Sequence, residues 1–153
     1  MKNMKEIENN IKEEAQKLLD LLNIQATVSV GIEDDAYKVE IDAGEENAFL
    51  IGKHGNTLAS FELILKMIIA QKSGEYKQIT IEIGNYRMER EEYLKGLVER
   101  LKEEVEETGS EKPVRGLKPW ERRYVHMLLK DDEFVYSESE GEGRDRVLVI
   151  KKK

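Results

Sequence analysis

A short segment near the middle of the chain has the residue types needed to bind a phosphate. It reads Gly52-Lys53-His54-Gly55, and its two glycines let the backbone turn tightly with no Cβ in the way. A helix beginning near Asn56 would direct its free amide groups and the positive end of its dipole at a ligand beside this segment. Lys53 adds a charge, and His54 adds a hydrogen-bond donor. The segment therefore fits a phosphodiester backbone, although an ordinary corner between two helices can carry the same four residues.

A second pair of residues with anion-binding chemistry lies in the last third of the chain. Arg122 and His126 are four positions apart, which places them on one face of a helix, and Lys130 continues that face. We predict that Arg122 and His126 lie on the exposed face and share an anion such as a phosphate. A bound phosphate would favour protonated His126, so the affinity should rise as the pH falls. From the spacing alone, an exposed charged face without a ligand is the simpler interpretation.

Other kinds of chemistry find little support in the residue patterns. The glycine segment fits neither a Walker loop nor a Rossmann fingerprint, since the Walker spacing places Asn47 where a glycine is needed. The chain has no cysteine and only two histidines, too few for an ordinary zinc site without several carboxylates. Asp131, Asp132 and Glu133 could bind a metal, but a solvated helix end explains them better. We expect no catalytic residue, no metal site, no cofactor and no enzymatic activity.

The charge of the chain is unevenly distributed. Its 153 residues carry a net charge of −7, which argues against strong nonspecific binding to polyanions. Residues 112–153, however, contain 11 Lys and Arg against 8 Asp and Glu, whereas residues 1–111 contain 14 against 24. No segment approaches the roughly 20 apolar residues that span a bilayer, and the first residues do not resemble a signal peptide. We therefore expect a cytoplasmic protein with no direct membrane insertion.

Hydrophobic periodicity predicts the elements that position the glycine segment. In chain order they are a helix (7–22), two strands (26–32 and 37–41), two helices (45–51 and 56–72) and a third strand (78–83). The glycine segment lies between the second and third of these helices. We predict that the three strands form one sheet with the helices on one face. Leu50 and Ile51 would then line a groove for unstacked bases.

The Arg122 and His126 pair depends on elements in the rest of the chain. These are a long charged helix (86–107), a helix opened by Pro119 that runs to about residue 130, and two strands (134–137 and 146–150). Thr108-Gly109-Ser110 breaks the long helix and marks the predicted domain boundary. The fold class is therefore α+β. We predict a first domain over residues 1–85, a connecting charged helix over residues 86–110 and a small α/β domain over residues 111–153.

Taken together, these motifs resemble the Jag family, also called KhpB, whose members are associated with the SpoIIIJ membrane insertase. The element order around the glycine segment is similar to that of the bacterial-type, or type II, KH domain, which clamps a nucleotide backbone with this loop. The resemblance runs from about residue 25 to Ile150, and residues 114–118 depart from the family's usual sequence. Its strongest pieces are Leu-Ile-Gly-Lys-His-Gly-Asn-Thr-Leu (50–58), Pro-Trp-Glu-Arg-Arg-Tyr-Val-His (119–126), and Ser-Glu-Gly-Glu (139–142) before Arg-Val-Leu-Val-Ile (146–150).

The resemblance implies both a fold and a function. The fold is a type II KH domain with a three-stranded sheet, followed by an Arg-x-x-x-His domain. The function is the binding of single-stranded RNA in a post-transcriptional role linked to cell elongation and division, with a small single-KH protein, KhpA, as a partner. The residues assigned to RNA binding by matching position are Gly52, Lys53, His54, Gly55, Arg122 and His126.

Two functions stay open at this point. The first is that of a non-enzymatic RNA-binding regulator. The second is that of a protein–protein adaptor that pairs through its KH domain with another KH protein, which the acidic first two-thirds of the chain favours. The two are compatible, and the sequence does not distinguish a monomer from a homodimer or a heterodimer. It also does not define the RNA sequence preference, the target transcripts or any contact with the membrane insertase.

Overall fold

The computed structural model describes residues 3–153, and in that part of the chain it contains five α-helices and two three-stranded sheets. The chain divides between Arg87 and Met88 into two units. Each unit has its own sheet and its own cluster of buried apolar side chains. The protein is therefore a mixed α+β protein, as the order of periodic segments predicts.

The first unit follows the predicted element order. Its elements are α1 (Met4–Leu21), β1 (Thr27–Glu33), β2 (Ala36–Asp42), α2 (Asn47–Ile51), α3 (Asn56–Ser73) and β3 (Ile79–Ile83). Two single 3-10 turns, Gly44–Glu46 and Lys53–Gly55, precede α2 and α3. The predicted helix over residues 45–51 is thus a 3-10 turn followed by a short α-helix.

The sheet of the first unit explains why the glycine segment lies between two helices. Strands β1 and β2 are antiparallel and are joined by a tight turn in which Asp34 and Asp35 both have positive φ, as in the two-residue hairpins that match the twist of a sheet. Strands β2 and β3 are parallel neighbours. Parallel neighbours need a long crossover, and residues 43–78 supply it. Helices α2 and α3 form this crossover, with the glycine segment at its centre.

The core of the first unit forms where the apolar stripes of the helices meet one face of the sheet. Every second residue of β3 is buried, and so is the apolar stripe of α1. The predicted single sheet of three strands is confirmed. One detail is wrong: Leu50 is fully buried in this core and does not line a groove, while Ile51 is half-buried against it. A leucine that faces the sheet gains more from burial among apolar side chains than from lining an open surface.

The second unit is a three-stranded antiparallel sheet with two helices. Its elements are α4 (Tyr86–Thr108, whose first residues precede the division), β4 (Lys112–Val114), α5 (Pro119–Leu129), β5 (Val135–Glu140) and β6 (Val147–Lys152). The strand order is β4-β6-β5. Strand β4 is not predicted by the sequence, because it has only three residues and contains Pro113, which cannot donate a ladder hydrogen bond.

Helix α4 contributes to the core of the second unit. Its residues Leu94, Val98 and Val105 are buried in one cluster with apolar residues of α5, β5 and β6. The sequence predicts a connecting helix over residues 86–110, whereas the structure places nearly all of α4 in the second unit. The narrow apolar stripe of α4 is the reason, since burying it against the sheet stabilises the unit more than exposing it along a linker.

Candidate functional site

The glycine segment, hereafter the glycine loop (residues 52–55), has a backbone that few residues other than glycine adopt. Gly52, His54 and Gly55 have φ values of 71°, 55° and 75°. The loop therefore ends α2 at Ile51 and restarts the chain as α3 at Asn56 within four residues. The first amide groups of α3 have no helical partners, so the positive end of this 18-residue helix adjoins the loop.

Steric contacts make both glycines of the loop necessary. A Cβ on Gly52 would lie 2.1 Å from Oγ1 of Thr57, and a Cβ on Gly55 would lie 2.8 Å from the hydroxyl oxygen of Tyr86. Thr57 and Tyr86 therefore pack directly against the loop backbone. This close packing fixes the loop between its two helices and leaves its outer side open.

The outer side of the glycine loop carries the two predicted cationic side chains. Lys53 and His54 are both exposed, and within the described residues neither forms an ion pair with a carboxylate. Phe49, on α2, is 63% exposed and is an aromatic surface that the sequence analysis did not single out. The loop thus presents a free charge, a free imidazole and a helix N-terminus, which together suit a phosphate.

Helix α5 carries the second site, and a buried ion pair defines where it begins. Pro119 occupies its first turn, where the missing N–H costs nothing. The carboxylate of Glu121, which is 1% exposed, accepts a hydrogen bond from the backbone N–H of Lys118 at 2.9 Å and one from Nε of Arg90 at 2.7 Å. Glu121 therefore anchors the first turn of α5 to helix α4, directly before Arg122.

Arg122 and His126 do lie on one face of α5, but they are half-buried and not exposed as predicted. Arg122 donates from Nη1 to the carbonyl oxygen of Leu117 at 2.6 Å. The imidazole of His126 has a serine hydroxyl at each nitrogen, with Ser137 2.5 Å from Nδ1 and Ser139 3.0 Å from Nε2. Strand β5, which packs against α5, supplies these serines, so the two side chains are positioned by neighbouring groups.

The surroundings of His126 favour the neutral imidazole. Burial lowers the pKa of His126 below its ordinary value of 6.5, and the positive charges of Arg146 and Arg122 lower it further. Serine hydroxyls can donate or accept, so they satisfy the ring in either protonation state. Near neutral pH, His126 is therefore an uncharged group that forms hydrogen bonds through both ring nitrogens.

A cleft beside α5 is lined by His126 and by several Lys and Arg side chains. It has a volume of about 440 Å³. We call it the basic cleft, and the residues lining it are Pro119, Arg122, Arg123, His126, Met127, Lys130, Ser139 and Arg146. None of these is a carboxylate, although the chain as a whole carries a net charge of −7. Such a concentration of cations can hold an anion with several negative charges.

The sequence reveals only part of the basic cleft. The four-residue spacing of Arg122 and His126 predicts that they share a helix face, and it places Lys130 on the same face. The spacing does not predict Arg146 or Ser139, which lie 20 and 13 positions after His126. Ser139 reaches the cleft because β5 packs against α5, and Arg146 because it precedes β6, the partner strand of β5. Ser139 begins the Ser-Glu-Gly-Glu piece and Arg146 begins the Arg-Val-Leu-Val-Ile piece, both of which resemble the family. Their distance along the chain, however, does not indicate that they lie near His126.

The lowered pKa of His126 predicts a pH dependence of stability. Between the unfolded value near 6.5 and the lower folded value, the unfolded chain binds a proton that the folded chain resists. The free energy of unfolding of the second unit should therefore decrease as the pH falls from about 7 to 5.5. Chemical denaturation at several pH values checks this, and His126→Gln should lose less stability over the same range. An equal pH dependence in both proteins would contradict the assignment.

Neither a metal centre nor a membrane span is found in the described part of the chain. Residues 3–153 contain no group of three or more His, Asp or Glu side chains arranged to hold a metal ion. Among these residues, no helix combines the length and apolar character needed to cross a membrane.

Comparison with known proteins assigns a class to the second unit. Residues 92–152 match the domain family named for the Arg-x-x-x-His motif, abbreviated R-3-H, which is a nucleic-acid-binding domain. This range contains α5, the basic cleft and the whole second sheet. Residues 92–152 therefore match an Arg-x-x-x-His domain, within a chain of mixed α+β fold.

Similarity to whole proteins narrows this class to a family. A Clostridium symbiosum protein named RNA-binding protein KhpB is 27% identical over 136 residues, which cover 88% of this chain and 61% of that protein. A Bacillus subtilis (strain 168) protein of the same name is 34% identical over 112 residues, which cover 72% of this chain and 54% of that protein. The chain thus spans little more than half the length of these curated relatives. The resemblance to the Jag, or KhpB, family is confirmed, and the chain is a relative of that family's proteins.

Proposed function

We propose that this chain is a single-stranded RNA-binding protein that acts as a post-transcriptional regulator in the cytoplasm. The observation that carries the proposal is the basic cleft, in which four Lys and Arg side chains meet without a carboxylate inside an Arg-x-x-x-His domain. Its relatives are named RNA-binding proteins, which favours RNA over other polyanions as the ligand. Cell elongation and division are the processes that the family resemblance suggests.

The first unit, in this proposal, is a type II KH domain over residues 1–85 that clamps the RNA backbone. Its support is the glycine loop between α2 and α3, together with the exposed Lys53 and His54. A single strand on this loop would place phosphates against the cations and the N-terminus of α3. Its bases would then be free to contact apolar surface such as Phe49, which is exposed close to the loop in the sequence.

The glycine loop and the basic cleft differ in the groups that they present to RNA. The glycine loop offers one lysine, one histidine and backbone amides, whereas the basic cleft offers four permanent cations beside Ser139. We propose Gly52, Lys53, His54 and Gly55 as the first RNA contact and Arg122 and His126 as the second. Neither set contains a serine, threonine or cysteine hydroxyl or thiol that a neighbouring base could activate, so the proposed role is binding without catalysis.

Salt dependence of RNA binding tests the proposed function. For a single strand, each neutralised phosphate contributes about −0.7 to the slope of log K against log salt concentration. With roughly three to five phosphate contacts, the slope for mixed-sequence single-stranded RNA should lie near −2 to −3.5. Fluorescence anisotropy with labelled RNA measures it, and duplex DNA of equal length serves as the control. A slope near zero, or tighter binding to the duplex, would contradict the proposal.

A second candidate function is that of an adaptor that pairs with another KH protein, such as a KhpA-like partner, or with its own copy. The observation favouring it is an apolar strip on the outer face of α3. Leu63, Ile64 and Met67 are 57%, 46% and 59% exposed, and their i, i+1, i+4 spacing places them side by side. Exposed apolar side chains grouped in this way are typical of protein contact surfaces.

Size-exclusion chromatography with light scattering tests the adaptor function. If the α3 strip pairs the chain with its own copy, the chain should elute as a dimer at micromolar concentration. The double variant Leu63→Lys with Met67→Lys should then elute as a monomer. Lys substitutions at Asn9 and Glu13, which are exposed on α1, introduce the same side chains at the same spacing away from the strip and serve as the control. A monomer at all concentrations would exclude self-pairing and leave a different KH protein as the partner to be tested.

A further inference from the structure

The distribution of ion pairs in the second unit sets the basic cleft apart from the rest of its surface. Lys102, Lys112 and Lys151 each lie within 4 Å of at least one carboxylate. Arg123 and Arg146, which line the cleft, form no ion pair within the described residues. Acidic residues are near at hand in the sequence, with Asp145 directly before Arg146. The cations of the cleft are therefore left available for a ligand.

Lys130 extends this set of available cations along helix α5. Like Arg123 and Arg146, it has no carboxylate partner within residues 3–153, although Asp131 follows it directly. Arg122, His126 and Lys130 follow one another at four-residue intervals, and each interval advances the helix by about 6 Å. The row is thus about 12 Å long between the backbone positions of its two end residues. This exceeds the size of one phosphate group.

Arg146 adds a cation from outside the helix. It precedes β6 and lines the same cleft as the α5 residues. Its charge, like that of Arg122, lowers the pKa of His126, and both arginines line the cleft with the imidazole. A ligand bound at His126 would therefore meet arginines from two separate elements, one from α5 and one from the segment before β6.

Apolar groups in the cleft indicate what accompanies the phosphates. Met127 is 69% exposed and lines the cleft together with Pro119. Inorganic anions gain nothing from such surface, whereas a nucleobase can pack its flat apolar face against a thioether or a proline ring. The lining thus combines cations, a hydroxyl and apolar groups in one cleft.

We infer that Arg146 and Lys130 are RNA-binding residues and that the basic cleft binds two consecutive phosphates of a single strand, not one isolated anion. This inference rests on the proposed RNA-binding function and adds to it the ligand's extent and two residues that the Arg-x-x-x-His motif does not include. Arg122 and Arg146 hold the phosphate nearest His126. Lys130 holds the next one, and Met127 contacts the intervening nucleoside.

Alanine variants measured against single-stranded RNA by fluorescence anisotropy test the inference. Arg146→Ala should weaken binding by about 5- to 50-fold, comparably to Arg122→Ala, because each removes a charge-assisted contact. Arg144→Ala is the matched control, since Arg144 is exposed, lies two positions away and does not line the cleft. It should change the affinity by less than about twofold. Thermal melting should be nearly unchanged for Arg144→Ala and Arg146→Ala, because neither arginine has a carboxylate partner within the described residues.

The number of phosphates is read from the salt slope. If the cleft binds two phosphates, the triple variant Arg122→Ala, Arg146→Ala and Lys130→Ala should reduce the slope by about 1.4, whereas loss of one phosphate reduces it by about 0.7. A reduction of only about 0.7 in the triple variant would overturn the two-phosphate claim. An Arg146→Ala affinity equal to that of Arg144→Ala would remove Arg146 from the site. Failure of the unmodified chain to bind RNA would instead refute the proposed function itself.

Discussion

Replacing Lys53 and His54 together by Asp should weaken single-stranded RNA binding by at least about 100-fold while leaving the fold intact. Each charge-assisted contact to a phosphate contributes roughly 1.5–3 kcal/mol, and the loss of two such contacts exceeds two factors of ten. The new carboxylates would also repel the phosphates at short range. Asp suits position 54 in particular, because His54 has a φ of 55° and Asp tolerates this left-handed conformation better than most residues.

The control for this double variant has the same change in net charge, but its substitutions lie on α1, away from the glycine loop. Lys5 and Lys12 are exposed on α1, and Lys5→Gln with Lys12→Asp lowers the net charge by the same amount, counting His54 as neutral. This control should lower affinity only slightly, by weakening the long-range field. Anisotropy titrations and circular dichroism on all three proteins provide the comparison. Normal RNA binding by the loop variant, with an unchanged spectrum, would show that the glycine loop is not a clamp.

The second large effect concerns stability: Glu121→Ala should lower the free energy of unfolding of the second unit by about 2–4 kcal/mol. The carboxylate is 1% exposed and accepts hydrogen bonds from both Arg90 and the backbone of Lys118. Its removal leaves the guanidinium of Arg90, with 22% of its side chain exposed, without its partner, and partial exposure moderates the cost. In a unit of this size the melting temperature should fall by roughly 10–20 °C.

A double-mutant cycle separates the ion pair from other effects of the substitution. Arg90→Met should also destabilise the unit, because it leaves Glu121 buried without its cation. The combination of Arg90→Met with Glu121→Met should be less destabilising than the sum of the single changes, since no buried charge is then unpaired. Denaturant unfolding of the four proteins measures the coupling. A change below about 0.5 kcal/mol in Glu121→Ala would mean that the pair does not anchor α5.

Much of the fold can be predicted because its strands and helices have clear hydrophobic periods. In β3, isoleucines at every second position alternate with Thr80 and Glu82, and all three isoleucines are buried. The alternation in the sequence therefore matches the alternation of burial in the structure. Strand β4 could not be predicted in this way, since three residues contain too little alternation to recognise. The hydrophobic pattern also does not predict the division of the chain between Arg87 and Met88. Gly109 marks where α4 ends, but it does not indicate which of the two cores α4 joins.

The glycine loop and the basic cleft differ in how much of each the sequence reveals. All four loop residues are consecutive, so local backbone rules suffice to recognise them. The cleft combines α5 with Ser139 and Arg146, which come near His126 only because β5 packs against α5 and pairs with β6. The predicted exposure of His126 is wrong for the same reason, since Ser137 and Ser139 approach the imidazole from β5. Helical spacing orders residues on one helix but contains no information about what packs against it.

Photocrosslinking of 4-thiouridine-containing single-stranded RNA to the unmodified chain, followed by mass spectrometry of the crosslinked peptides, tests whether both sites bind RNA. We expect crosslinks in two regions, one around the glycine loop (residues 47–58) and one around the basic cleft (residues 119–130 and 139–146). Excess unlabelled RNA should remove both. Crosslinks confined to the outer face of the first sheet, where Lys38 forms ion pairs with Glu33 and Glu40, would contradict RNA binding at these two sites. The absence of any RNA-dependent crosslink would contradict it as well.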